Sequence, residues 1–131
     1  MMDPSTGRHT LPSSVRLKSR RAFDRVFREG MRVSDRHLTI VMARRGDDGP
    51  ARLGIAVGRR YGCAAERNRI KRLIREAFRR LRHDLPPASD WVVLPRPGRG
   101  PTAAHVEASL RTLARRLAGP PPGARTGGVT F

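Results

Sequence analysis

A mixed fold of three helices and four strands is what the sequence predicts, and three observations predict it. The first is a basic helix over 66–82, ERNRIKRLIREAFRRLR. Its apolar residues Ile70, Leu73, Ile74, Ala77, Phe78 and Leu81 recur at i, i+3, i+4, i+7, i+8 and i+11, which gathers them into one stripe at about 100° per residue. The second is alternation over 37–43 and 51–58, the two-residue period of a strand with one face packed. The third is a compact apolar run at 90–94, lying between Pro86-Pro87 and a Pro/Gly loop and followed by a further helical stripe. At 131 residues the chain is one small domain.

Taken in order, residues 1–14 mix Pro, Ser, Thr, Gly and His with little apolar content and are expected to form a disordered tail. The foldable domain is expected over 15–118. Ser19 is the predicted N-cap of a short helix ending near Glu29, with Gly30 as its stop signal. Phe23, Val26 and Phe27 share one side of it, surrounded by Arg20, Arg21, Arg25 and Arg28. Either ring could be core or could face a ligand. Residues 31–34 fit a short edge strand. In the next strand Leu38, Ile40 and Met42 share one face, and Thr39, Val41 and Ala43 the other. RGDDGP at 45–50 is a turn by its Asp-Gly and Gly-Pro content. The strand over 51–58 puts Leu53, Ile55 and Val57 on one face and only Arg52, Gly54, Ala56 and Gly58 on the other. Glycine inside a strand often marks close approach of a backbone or ligand, although a bare face is more commonly just solvated.

Arg59 to Cys63 turns the chain into the long basic helix. Cys63 is a poor N-cap, but Glu66 is placed to reach back to the helix start. Pro86 and Pro87 stop the helix, and the strand over 90–94 carries the single tryptophan, Trp91. Thr102 caps a last helix with the stripe Val106, Leu110, Leu113, Ala114 and Leu117. Residues 119–131 are Pro/Gly-rich and expected to be a disordered tail.

Charge narrows the function. The formal net charge is +17, and Arg far outnumbers Lys, which occurs only as Lys18 and Lys71. A GC-rich codon bias would explain Arg over Lys but not the charge itself. In the basic helix, Asn68, Arg72, Arg75 and Arg79 stack opposite the apolar stripe, with Lys71 and Arg82 beside them. Eight Lys/Arg there face only Glu66 and Glu76. Glu–Arg pairs at i,i+4 offset only tenths of a kcal/mol each, so a polyanion lying on this face accounts for it best. Guanidinium pairs bidentately with phosphate, which favours nucleic acid.

His9, His37, His83 and His105 are scattered, and no CxxC, HxxxH, P-loop or GxSxG pattern occurs. Asp47 and Asp48 are the carboxylates closest together, in a turn expected to be a solvated hairpin tip. A two-metal nuclease needs several convergent carboxylates, so no catalytic residues and no protein-held metal are expected. A single cysteine, Cys63, and the lack of a signal-like or membrane-spanning apolar run fit a reducing cytoplasm.

The run from Leu53 to Arg79, LGIAVGRRYGCAAERNRIKRLIREAFR, closely resembles the protein component of bacterial ribonuclease P. Arg67-Asn68-Arg69, followed by Ile70-Lys71-Arg72-Leu73-Ile74-Arg75, anchors the likeness. Phe23-x-x-x-Phe27-x-x-Gly30 supports it upstream, and the strand–loop–helix supports it downstream. The resemblance covers about 16–118. It implies an α+β fold in the order αβββαβα, like the second domain of ribosomal protein S5, with a left-handed βαβ crossover. It also implies the small subunit of a ribonucleoprotein that removes the 5′ leader from precursor tRNA. There the RNA subunit catalyses cleavage with Mg2+, and no obligate protein partner is evident.

Carried over residue by residue, the RNA-subunit face is Arg67, Asn68, Arg69, Lys71, Arg72 and Arg75. The leader cleft is Phe23, Phe27, Thr39, Val41, Ala56, Gly58 and Arg60. Val41 stands where the family commonly has an aromatic, Gly58 replaces a common Ser, and Cys63 a common Asn. A generic RNA-binding module would share the charge but need no aromatic cleft, and a stand-alone nuclease would need the carboxylates that the sequence lacks.

Overall fold

The computed structural model describes residues 12–98 and 100–118. The tail expected over 119–131, and the first eleven residues of the tail expected over 1–14, lie outside the described residues. The last part of the latter belongs to the fold. Ser13–Val15 form a 3-10 turn closed by the Val15 N–H on the Pro12 carbonyl at 3.0 Å, and Val15 is 2% exposed.

Helix α1 (Arg20–Glu29) starts at Ser19, whose hydroxyl accepts the Ala22 N–H at 3.1 Å, and stops at Gly30. The cap satisfies one of the amide donors a helix start leaves free. Strands β1 (Met31–Ser34), β2 (Leu38–Arg44), β3 (Arg52–Ile55) and β4 (Ser89–Pro95) form one sheet in the order β1-β2-β4-β3. β1–β2 and β2–β4 are antiparallel, and β3–β4 parallel. Parallel neighbours need a long crossover, supplied here by α2 (Ala64–Leu81). Helix α3 (Ala103–Ala118) closes the chain.

Several boundaries move, most by a single residue, as in β2, β4 and the start of β3. The strand predicted over 51–58 ends at Ile55, although the Ala56 N–H still donates to the Val93 carbonyl at 3.0 Å. Helix α2 begins at Ala64, because Glu66 does reach back and accept the Cys63 N–H at 2.9 Å. It ends at Leu81 and tightens into a 3-10 turn over Arg82–Asp84.

The sheet is covered on both sides. On one face Leu38, Ile40, Met42, Leu53, Trp91 and Val93 pack with α2 (Ile70, Ile74, Ala77, Phe78, Leu81) and α3 (Val106, Leu110, Leu113, Ala114, Leu117). The other face meets α1 through a smaller cluster of Leu17, Val26, Val41, Ala43 and Val92, with Phe23, Ala56 and Leu94 at its margin. The free edge of β3 is met by the N-terminal segment. Arg16 bridges Leu53 in parallel, and the Leu17 N–H donates to the Leu53 carbonyl at 2.9 Å, which blunts an exposed edge.

The face expected to be bare is therefore bare only in part. Gly54 is buried because Phe23 lies on it: a Cβ there would come within 2.6 Å of the Phe23 ring. Val41 is 1% exposed beneath α1. It is withdrawn from the surface expected to meet a ligand, because α1 needs an apolar seat at that register.

Candidate nucleic-acid interface

The outer face of α2 carries the expected cluster. Asn68, Arg69 and Arg72 are exposed, and Arg67, Lys71 and Arg75 half-buried. Two of the arginines are anchored. Arg67 Nη1 donates to the Gly62 carbonyl at 2.7 Å, and Arg69 Nη2 to the Pro101 carbonyl at 3.0 Å. Each contact uses one of a guanidinium's five donors, so both side chains are oriented and still able to bind. The side chains of Asn68, Lys71 and Arg72 make no hydrogen bond or ion pair to another described residue. Arg75 is pulled below the usual arginine pKa, first by burial and then by the positive charge of Arg16 and Arg72. A cation destabilised by its own neighbours is relieved by an anion.

The second expected cluster lies where α1 leaves the sheet open. Register places Val41, Val92 and Gly54 in one row under α1. Ser34, Thr39 and Leu94 form the adjoining row, and Ala56 follows Gly54 along the chain. Phe23 is half-buried against Gly54. Phe27, one turn further along α1, is 37% exposed. Thr39 and Ala56 are half-buried, with Thr39 Oγ1 2.8 Å from Ser34 Oγ. Gly58 is exposed, with open space where a Cβ would stand, and Arg60 is exposed on the 3-10 turn Arg59–Tyr61. Phe23 and Phe27, Thr39, Ala56, Gly58 and Arg60 thus keep access to solvent, whereas Val41 does not.

Sequence reasoning missed the group that fixes α1 in place. Asp90 is 1% exposed on the α1 side of β4. Arg52 binds it with both Nε (2.8 Å) and Nη2 (3.0 Å), Arg45 Nη1 at 2.6 Å, and Arg25 of α1 at 3.4 Å. Arg25 also donates to the Arg44 carbonyl. Arg45 extends the network outward to Asp47 at 3.0 Å, so Asp47 is not a merely solvated tip. That pairing, with the Gly49 N–H, holds the Asp47 carboxyl down to about 2. The available signal was an aspartate opening an otherwise apolar strand, which demands cationic partners when buried.

Among the described residues no group of three or more His, Cys, Asp or Glu could hold a metal ion. No described helix is long and apolar enough to cross a membrane.

An α+β fold that sets a like-charged arginine helix beside a partly open sheet is that of an RNA-binding protein. The family model of ribonuclease P matches residues 11–118. The ribonuclease P protein component of Desulfovibrio desulfuricans is 38% identical over 120 residues, covering 88% of this chain and 92% of the relative. That of Brevibacillus brevis is 36% identical over 104 residues, covering 79% and 82%. The ribonuclease P protein structure from Thermotoga maritima aligns with a TM-score of 0.71 at 35% identity, covering 79% of this chain and 98% of that one. The 2.0 Å structure from Staphylococcus aureus gives 0.72 at 30%, covering 82% and 97%. The chain belongs to the ribonuclease P protein family. It is the RNA-binding protein subunit of the endonuclease that processes tRNA 5′ ends, with ribonuclease P RNA as its partner.

Proposed function

We propose that the outer face of α2 is the surface that holds ribonuclease P RNA. In the same reading, the cleft between α1 and the open sheet row binds the single-stranded 5′ leader of precursor tRNA. The observation that carries the reading is the row of Asn68, Lys71 and Arg72 on α2, whose side chains make no hydrogen bond or ion pair to another described residue, with Arg75 beside them. Arg67 and Arg69 extend that face along α2, each held by one backbone carbonyl with further donors left for phosphate. In the cleft, Phe27 and the rim of Phe23 offer ring surface to bases, while Thr39, Ala56 and Gly58 are small enough for a strand to lie flat. Arg60 stands at the end where a phosphate would pass. Phosphodiester cleavage and its Mg2+ belong to the RNA subunit, and the protein's own residues supply grip and alignment. The holoenzyme works in the cytoplasm.

Two binding experiments test the two surfaces. Affinity for the RNA subunit should fall linearly against salt on logarithmic axes, and Arg72→Ala or Arg75→Ala should each lower the slope by about one. In the reconstituted holoenzyme, Phe27→Ala should weaken precursor tRNA by about 1–3 kcal/mol and leave mature tRNA unchanged. Unaltered slopes would remove the α2 face, and equal losses for both tRNAs would remove the cleft.

A further inference from the structure

A second concave surface lies at the opposite end of the molecule. It is a groove of about 690 Å3 between the end of β2, the turn after α2 and the last turns of α3. Its floor is apolar, formed by Leu81, Leu85, Pro86, Pro87, Ala114 and Ala118. Its rim carries Arg44, Arg111, Arg115 and His83 against one acid, Asp84. The volume falls in the usual range for a small-molecule site. The mixture is that of a nucleotide site, with an apolar floor for a base or sugar and guanidinium groups for phosphate.

We infer that this groove is a second contact for the RNA subunit, taking a single-stranded, phosphate-bearing nucleotide. The inference rests on the reading of α2 as the RNA-subunit face. Two observations choose that RNA over the precursor tRNA, and a third shows the rim able to bind phosphate. Arg72, Arg75 and Arg79 run along α2 toward the groove, about 10 Å at 1.5 Å per residue, and Arg82 follows in the next turn, so an RNA following the helix arrives there. The leader cleft is at the other end of β2, on the other face of the sheet, and Thr39 to Arg44 spans about 17 Å. The rim cations are also only lightly engaged. Arg111 pairs with Glu107 at 3.0 Å, leaving further donors, and the side chains of Arg44 and Arg115 make no ion pair with another described residue.

The test compares Arg44→Gln/Arg115→Gln with Arg72→Ala in the full chain, reading salt-dependent affinity for ribonuclease P RNA, backbone protection of that RNA, and melting temperature. Glutamine keeps most of the stem and adds no charge of its own to the C-terminus of α3. The groove variant should keep its melting temperature within a few degrees, lower the slope by about two, and lose protection at one RNA position distinct from those lost in Arg72→Ala. An unchanged slope and protection pattern overturns the inference whatever Arg72→Ala does, and the Arg72→Ala arm shows separately whether the α2 reading fails with it. A loss seen only for holoenzyme binding of precursor tRNA, with RNA-subunit affinity intact, overturns it too.

Discussion

The two faces of the sheet are built on opposite principles. The face under α2 and α3 is filled with large apolar side chains, including Trp91, Phe78, Leu38, Ile40, Ile70, Ile74, Leu110 and Leu113. The apolar cluster under α1 has five buried residues, none larger than leucine, and beside it one aspartate is shared by three arginines. Large apolar side chains are concentrated on one side, which leaves part of the other open, with Phe27 37% exposed beside it. A full apolar seat for α1 would have buried Phe27 and closed the open row beside it.

The largest effect that would break this contrast is loss of the large core. Trp91→Ala should cost about 3–5 kcal/mol, read by urea denaturation. Val26→Ala, at an equally buried site on the α1 face, should cost about 2 kcal/mol for two methyl-sized groups. Equal losses would mean that both faces share the load. Next comes the ionic anchor. Asp90→Asn removes the charge that three guanidinium groups share, and breaking one partner out of a buried ion network costs about 3 kcal/mol. Because Arg25 ties α1 to Asp90, the same variant should also narrow the affinity difference between precursor and mature tRNA. A full stability loss with that difference intact would show that Asp90 holds the sheet and not the cleft. A smaller effect is expected at Gly54. Gly54→Ala places a methyl 2.6 Å from Phe23, and overpacking of this kind costs about 1–3 kcal/mol. If stability is unchanged, Phe23 is less firmly seated than its contact implies.

Much of this was legible beforehand, and for identifiable reasons. The stripe from Ile70 to Leu81 and the alternation of Leu38, Ile40 and Met42 are local patterns, and both fell on the expected face. Ser19 and Glu66 cap their helices as their types predict. What local pattern could not show was α1 crossing the other sheet face. That crossing depends on contacts between residues far apart in sequence, such as Phe23 with Gly54 and Arg25 with Asp90. Val41 looked available for the same reason: alternation says which face a residue is on, not what covers that face. The basic face of α2 was readable because charge on a helix wheel is local.

The smallest effect sharpens the contrast at the outer end of the ionic network. Asp47 is exposed, and Arg45 together with the Gly49 N–H holds its carboxyl at about 2, below the ordinary 3.8. The folded chain therefore binds a proton less readily than the unfolded one. The resulting stability is fully present above pH 4 and is lost as pH falls toward 2. Asp35 is shifted the same way: burial would raise it, but the Leu38 N–H, the Ser109 hydroxyl and the His37 N–H hold it low. Asp47→Asn should flatten, without abolishing, the acid limb of melting temperature between pH 4 and 2. The Asp47 part is solvent-facing and should shrink in 1 M salt, where the screening length is about 3 Å, while the Asp35 part persists. Identical acid limbs for the variant and the parent chain would mean that the network ends at Arg45 and that the Asp47 pairing adds nothing to folding.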